Sequence, residues 1–262
     1  MPTPFQGAIF DVDGVLVDTP HERAWRETLH ELLESDWSDI RDQTTWAPEA
    51  FTPQVYQALV SGKPRMSGAR AALEHFGVPD LEARTLEYGD RKQTMVVRLI
   101  EAGEFTAYPD ALRFVIAVKD AGMRAAAASS SKNAGLFLRT IRLDTFAEEH
   151  GISSSTVRPG LTLLDAFDVD VSGRDFEHGK PHPEMFLTAA QELGVDPAAA
   201  MVMEDATAGV QAAKAGKMAA IGIARFDDHD LLVAAGADIV VASLDEVDMG
   251  ALGEGRLARR TG

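Results

Sequence analysis

The stretch Ala8-Ile-Phe-Asp-Val-Asp-Gly-Val-Leu-Val-Asp-Thr19 decides how this chain is read. Its apolar start, Ala8 to Phe10, stops abruptly at Asp11, and Asp13 and Gly14 follow. A short apolar run of this kind is a buried strand of a parallel sheet. Side chains alternate along extended chain, so Asp11 and Asp13 point to the same side. Carboxylates just past a strand's carboxyl end fall where open α/β sheets bind ligands. Gly14 lets the backbone bend sharply and approach a ligand closely. Two carboxylates held this close repel unless a cation or a shared proton relieves them. An acidic turn after an edge strand is the plain alternative, and the rest of the chain weighs between the two.

Beyond Thr19 the pattern turns helical. Residues 20–35 form an amphipathic helix with Trp25, Leu29, Leu32 and Leu33 on one side. Ser35 to Pro53 is loop-like, and Thr52-Pro53 starts a helix to about Val60, since Pro suits a first helical turn. Ser61 to Arg65 is a turn, and helices follow near 67–76 and 80–102. From Tyr108 onward, helices (110–120, 134–142, 182–193, 207–215, 228–235) alternate with short apolar runs (123–128, 167–171, 200–203, 218–223, 238–241). That alternation predicts an α/β fold with a parallel, doubly wound sheet. The first strand must rejoin that sheet, so the helical block is an insertion. The expected domains are 1–19 with 105–262, and 20–104, the second placed as a lid over Asp11.

Composition narrows the function. The chain of 262 residues carries a formal charge of −16 and no cysteine. Such acidity argues against nucleic acid and anionic membranes as partners, and disulfide or thiolate chemistry is excluded. The start, MPTPFQG, has none of the features of a secretory signal, and no apolar run reaches the length of a membrane span. A cytoplasmic monomer is expected.

Four polar clusters sit at predicted strand ends or helix starts: Asp11/Asp13, Ser129 to Asn133, Gly179-Lys180-Pro181 and Glu204-Asp205. Each alone has a plain structural explanation, as a helix cap, a surface lysine or a helix-start acid. Together, at equivalent topological positions, they suit phosphoryl transfer. Asp11, Asp13 and Asp205, with Glu204 as a further candidate, offer hard oxygen ligands for Mg²⁺. Asp11, at the strand's end, is the better nucleophile, and Asp13 suits general acid/base work. Ser129 and Lys180 are placed to donate to phosphate oxygens.

These residues resemble a known superfamily. Asp11-Val-Asp-Gly-Val15, Ser129 after an apolar strand, Lys180 and Glu204-Asp205 look like the four motifs of the haloacid dehalogenases, and the helical insert resembles their small cap. The resemblance implies a Rossmann-like core, a Mg²⁺-dependent aspartyl-phosphate mechanism and substrate selection by cap closure. Within the superfamily the likeness is to the beta-phosphoglucomutases. His21-Glu-Arg-Ala-Trp25, Gly62-Lys-Pro-Arg65, Lys92 and Ser129-Ser-Ser-Lys-Asn133 are similar to their cap and phosphate-loop motifs. The likeness implies phosphate binding by Ser129, Ser130 and Lys180, and substrate binding by His21, Arg65, Lys92, Ser131, Lys132 and Asn133.

A mutase of this type needs a second anion site for the phosphate that does not react. Arg65, whose fork binds phosphate bidentately, Lys132 and Asn133 are the candidates. The sequence also departs from the pattern: Asp110 follows Tyr108-Pro109 where Gly is usual, and an extra segment runs from about Glu148 to Leu164. Two readings therefore stand, a hexose-phosphate mutase and a phosphatase of a sugar phosphate or similar metabolite. A catalytically idle phosphate-binding module is disfavoured, because Asp11, Asp13, Lys180 and Asp205 are all present.

Overall fold

In a computed structural model of the chain, residues 4–60, 65–225 and 228–260 are described. Two compact units emerge, Met1–Asp18 with Thr106–Gly262, and Thr19–Phe105. The chain opens with β1 (Gly7–Phe10) and a short β2 (Val17–Asp18). The inserted unit then builds α1 (His21–Glu34), α2 (Pro53–Leu59), α3 (Arg65–His75) and α4 (Leu81–Glu101). On its return the chain forms β3 (Thr106–Ala107), α5 (Pro109–Asp120), β4 (Arg124–Ala127), α6 (Ala134–Thr140), α7 (Leu143–Glu149), α8 (Leu163–Ala166) and β5 (Val169–Asp170). It finishes with α9 (Glu184–Leu193), β6 (Ala200–Glu204), α10 (Thr207–Ala215), β7 (Ala219–Ile223), α11 (His229–Ala234), β8 (Ile239–Val241) and α12 (Met249–Gly253).

Among the described residues the larger unit carries a six-stranded sheet in the order β5-β4-β1-β6-β7-β8, parallel throughout. β1 reads as an unbroken apolar run because all four of its residues are buried between layers of helices. Alanine is a poor strand former, yet Ala125 to Ala128 are fully buried in and just past β4. Bulk comes from neighbours instead: the Phe10 ring packs against Phe114 and Phe167, with centroids 6.1 and 5.6 Å away. On the other side, Phe186 and Met185 of α9 share a core with Ala126 and Ala128.

The two chain crossings between the units are zipped together. β2 pairs antiparallel with β3, Val17 opposite Ala107, and the Tyr108 N–H donates to the Leu16 carbonyl at 3.0 Å. Two-residue strands are too short for alternation to show, which is why the sequence does not announce them.

The helical unit has its own core. Ala24, Trp25, Leu29, Leu32 and Leu33 form the buried face of α1. Trp25 meets Tyr88 of α4 edge-on at 5.0 Å, and the Tyr88 hydroxyl donates to the Trp25 carbonyl at 2.8 Å. Trp46, Phe51 and Phe76 make a second aromatic cluster. Thr52 caps α2 by accepting from the Val55 N–H, with Pro53 in the first turn.

Several expectations need revision. The strand expected over 167–171 shrinks to Val169–Asp170, because the capping box of Thr162 and Asp165 starts α8 just before it. The loop-like span 35–53 contains two 3₁₀ turns, Ser38–Gln43 and Pro48–Ala50. In the extra segment, Ser154, Ser155 and Thr156 tie back to α5 by donating to Asp120 at 2.8, 3.2 and 2.8 Å. Residues 61–64 of the expected turn lie outside the described residues. Among those described, no helix is long and apolar enough to cross a membrane.

Candidate active site

Register brings the expected groups together. Phe10 pairs with Ala127 on one side and Met203 on the other. Asp11 continues the ladder, its N–H donating to the Met203 carbonyl at 3.1 Å, while Ala128 N–H donates to Phe10 O at 2.8 Å. Asp11, Ser129 and Glu204-Asp205 therefore emerge at the same carboxyl edge. Strand order also reverses at β1, with β4 and β5 on one flank and β6 to β8 on the other, which marks the ligand-binding edge of such sheets.

Lys180 arrives from the loop before α9. Its ammonium lies 2.6 Å from Asp11 Oδ1 and also bonds Glu204 Oε1, and it sits 5.1 Å from the Phe186 ring centre. The peptide to Pro181 is cis. Ser129 Oγ donates to Asp13 Oδ2 at 3.3 Å and accepts from the Ser131 N–H at 3.0 Å. The Asn133 N–H donates to Ser131 Oγ at 3.3 Å. These bonds curl the 129–133 loop against the acidic pair. Ser130 is exposed within it.

Glycines make room for the acids. Gly14 has φ +79°, and a Cβ there would lie 1.9 Å from Asp205 Oδ2. A Cβ on Gly209, early in α10, would lie 1.9 Å from Glu204 Cδ. Asp205 is thus seated against the turn that follows Asp13, and Glu204 beneath the start of α10.

Burial raises the Asp11 carboxyl well above its usual range; Lys180 opposes this, and Glu204, Asp205 and Asp13 add to it. Asp205 is pushed up to about 7 by burial and then by Glu204. Burial works against the Lys180 charge, but Asp11 and Glu204 outweigh it and raise its pKa. Acidic oxygens crowded in this way, all hard donors, fit a divalent cation such as Mg²⁺.

Glu204, expected among the metal ligands, has partners of its own: its Oε1 takes Lys180 and its Oε2 accepts the Ala206 N–H at 3.0 Å. Its fully buried carboxylate is committed to holding Lys180, which leaves Asp11, Asp13 and Asp205 as the candidate oxygen set. Lys132, expected on a distal phosphate, instead reaches Gly173 O at 2.8 Å and Asp175 Oδ1 at 2.5 Å. Both partners of that ion pair are exposed, so it is weak and easily exchanged.

The remaining expected residues belong to the helical unit. Lys92 is buried in α4, 3.5 Å from His21 Nδ1 and 4.9 Å from the Trp25 ring centre. Burial, then Lys92, pushes the His21 imidazole down to about 3, so it is neutral and can accept from the ammonium. Arg65 is exposed at the start of α3, 3.5 Å from Asp90 Oδ1.

One buried network escapes sequence reasoning. Arg225, just past β7, donates to the carbonyls of Gly14 (3.3 Å) and Val15 (3.1 Å) in the turn after Asp13. It stacks 3.9 Å over Tyr108 and pairs with Asp110 at 2.9 Å. Asp110 also accepts from Ser243 Oγ (3.1 Å) and the Leu244 N–H (2.8 Å). The available signal is slight: an Asp where Gly is usual at 110.

Comparison with known proteins follows the same outline. A sequence model of the haloacid dehalogenase-like hydrolases matches residues 5–217. A beta-phosphoglucomutase of Mycobacterium bovis is 32% identical over 265 residues, spanning 94% of this chain and 93% of that protein. The fructose-1-phosphate phosphatase YqaB of Escherichia coli is 29% identical over 84% of this chain and 96% of its own length. Among solved structures, an archaeal beta-phosphoglucomutase from Pyrococcus superposes with a TM-score of 0.66 at 27% identity, covering 95% of this chain and 99% of that one. A family model across most of the sequence, and a one-third-identical relative along nearly all of it, agree with the strand-end chemistry: this chain is an enzyme of the haloacid dehalogenase-like hydrolase family, on its beta-phosphoglucomutase-like branch.

Proposed function

We propose that the protein transfers a phosphoryl group through an aspartyl-phosphate on Asp11, interconverting a hexose 1-phosphate and a hexose 6-phosphate. The observation that carries the chemistry is the Asp11 carboxylate at the β1 edge, 2.6 Å from a lysine that Glu204 anchors from behind. Resemblance to beta-phosphoglucomutases supports the mutase form of the reaction.

In this reading an Asp11 oxygen attacks the 1-phosphorus of a hexose 1,6-bisphosphate, and the bond from that phosphorus to the sugar oxygen breaks, releasing hexose 6-phosphate. Asp13 protonates the departing oxygen, then takes the proton from the 6-hydroxyl of an incoming hexose 1-phosphate as that oxygen attacks the aspartyl-phosphate and regenerates the bisphosphate. Lys180 and Ser129 donate to the phosphoryl oxygens, where charge builds in the transition state. Asp11, Asp13 and Asp205 would hold Mg²⁺, which when bound neutralises phosphate charge. Arg65 is assigned the phosphate that does not react, and His21 and Lys92 the substrate side of the helical unit.

A phosphatase is the second reading, supported by the similarity to a fructose-1-phosphate phosphatase. It uses the same Asp11 and Lys180, with water as the second nucleophile. A product assay separates the two: β-glucose 1-phosphate with Mg²⁺ and a trace of glucose 1,6-bisphosphate, scored for glucose 6-phosphate against free phosphate. Glucose 6-phosphate in excess is expected; free phosphate alone would replace the mutase reading by the phosphatase. Asp11→Asn should abolish turnover in either case, and retained activity would sink the nucleophile assignment.

A further inference from the structure

Away from the carboxylate cluster, three metal-binding side chains converge on the loop that delivers Lys180. His178, His182 and Glu184 each offer one ligand atom, and these atoms all lie within 4.8 Å of one another. Glu184 Oε2 stands 3.3 Å from His178 Nδ1 and 3.9 Å from His182 Nδ1. The two rings face each other, with centroids 4.4 Å apart and planes inclined by 33°.

Neither histidine has a packing role, for both are exposed. Glu184 is held in place: the backbone N–H groups of His178 (2.9 Å) and Glu177 (3.2 Å) donate to its carboxylate. Those bonds, His178's first, keep its pKa below the ordinary value, so it is an anion at neutral pH. Its charge offsets the positive pole at the start of α9, which would otherwise disfavour a cation. The Glu184 N–H lies 3.3 Å from His182 Nδ1, a long bond that a metal could replace. Two imidazole nitrogens and a carboxylate oxygen, open to water on one side, form a three-ligand zinc donor set with a free fourth position. The ligand types differ from the all-oxygen cluster around Asp11, which suits harder cations.

We propose that His178, His182 and Glu184 form a second metal site, taking Zn²⁺ or a similar transition-metal ion. Lys180 lies between the two histidines in sequence, so a bound ion would clamp the loop whose lysine bridges Asp11 and Glu204. The site stands apart from the reaction assigned to Asp11 and is tested without any activity.

The test is equilibrium dialysis of the full chain against Zn²⁺ in excess Mg²⁺, which keeps the oxygen cluster filled. Wild type should retain one equivalent of zinc that the double variant His178→Gln, His182→Gln lacks. Asp205→Asn should keep that equivalent, since its change lies in the other cluster. Substituting Co²⁺ should give a visible absorption band of a low-coordinate imidazole site in wild type and not in the double variant. Glutamine at two exposed positions leaves the fold intact, which circular dichroism checks. Equal zinc retention by wild type and the double variant, or no retention by either, overturns the proposal.

Discussion

Gly209→Ala sets two effects of opposite sign against each other, and magnitude decides. Gly209 lies in α10 with ordinary helical backbone, so alanine there gains about 1 kcal/mol of helix propensity. The new methyl, however, would fall 1.9 Å from Glu204 Cδ and Oε1. Side-chain ends can often swing aside at little cost, but this one is fully buried and holds Lys180 and the Ala206 N–H. Displacing it breaks a buried ion pair and orphans an amide, a loss of about 3–5 kcal/mol. The net expectation is destabilisation by about 2–4 kcal/mol. For a chain of this size that lowers the melting temperature by roughly 5–15 °C. Turnover should fall as well, because Lys180 loses the carboxylate that aims it at Asp11. Urea unfolding of wild type and variant gives the first number and steady-state kinetics the second. A variant that melts at or above wild type with unchanged kcat would refute the packing of Glu204 beneath α10.

Asp110→Ala removes the shared acceptor of Arg225, Ser243 Oγ and the Leu244 N–H; Arg225 keeps the Gly14 and Val15 carbonyls, so the loss should be about 2–4 kcal/mol in urea unfolding. Burial works to raise the Asp110 pKa, but its bonds to Arg225, Leu244 and Ser243 hold it low; its stabilising effect is thus present above the usual carboxylate pKa and lost as pH falls through the depressed one. The gap between wild type and variant should therefore narrow in acid, and a gap unchanged from pH 7 down to about 2 would contradict the assignment. Asp205 behaves oppositely: with its pKa raised to about 7, its contribution is present below the unfolded value and lost as pH rises through 7. Mg²⁺ should relieve that loss, so its gain in melting temperature over EDTA should grow between about pH 5 and pH 8; a constant gain argues against Asp205 as a ligand. Arg65→Ala should cost about 10- to 100-fold in mutase turnover while sparing hydrolysis of a small phosphate ester, and equal losses in both assays would remove Arg65 from the distal phosphate.

The catalytic edge was legible because strand ends write their chemistry locally. An apolar run that stops at Asp11, Ser129 or Glu204 carries both the element and the group in a few residues. Parallel pairing then brings those runs level without further information. What stayed hidden depends on partners distant in sequence. Arg225 acquires its place only when β7 lies beside β6 and Tyr108 returns alongside Leu16. Glu204 stands beside Asp205 in sequence only as a further candidate ligand, and alternation at the end of β6 sends the two to different surroundings. The β2–β3 ribbon is too short for any periodicity, and the strand expected over 167–171 is shorter in the structure because Phe167, as apolar as a strand residue, closes α8. In the helical unit, amphipathic spacing places α1, and the Ala, Leu, Glu and Arg content of 80–102 places α4, to within a few residues, but neither signal says what Arg65 grips.

The position of Glu204 changes how the lysine should be understood. A lysine beside Asp11 alone would neutralise the nucleophile and blunt its attack. Here the ammonium is shared between Asp11 and a fully buried glutamate whose other oxygen accepts the Ala206 N–H. Glu204 satisfies much of the lysine's charge from behind, so Lys180 stays protonated in a site that burial would otherwise strip of charge. Its remaining donor capacity faces the acids and any phosphate brought to them. Burial, opposed by Lys180 and aided by the neighbouring acids, raises the Asp11 pKa, and positive charge joining Asp11, Asp13 and Asp205 would lower it. On the proposed assignment of Asp11 as nucleophile, its strength would then depend on loading of the oxygen cluster, and Glu204 would act on it only through Lys180.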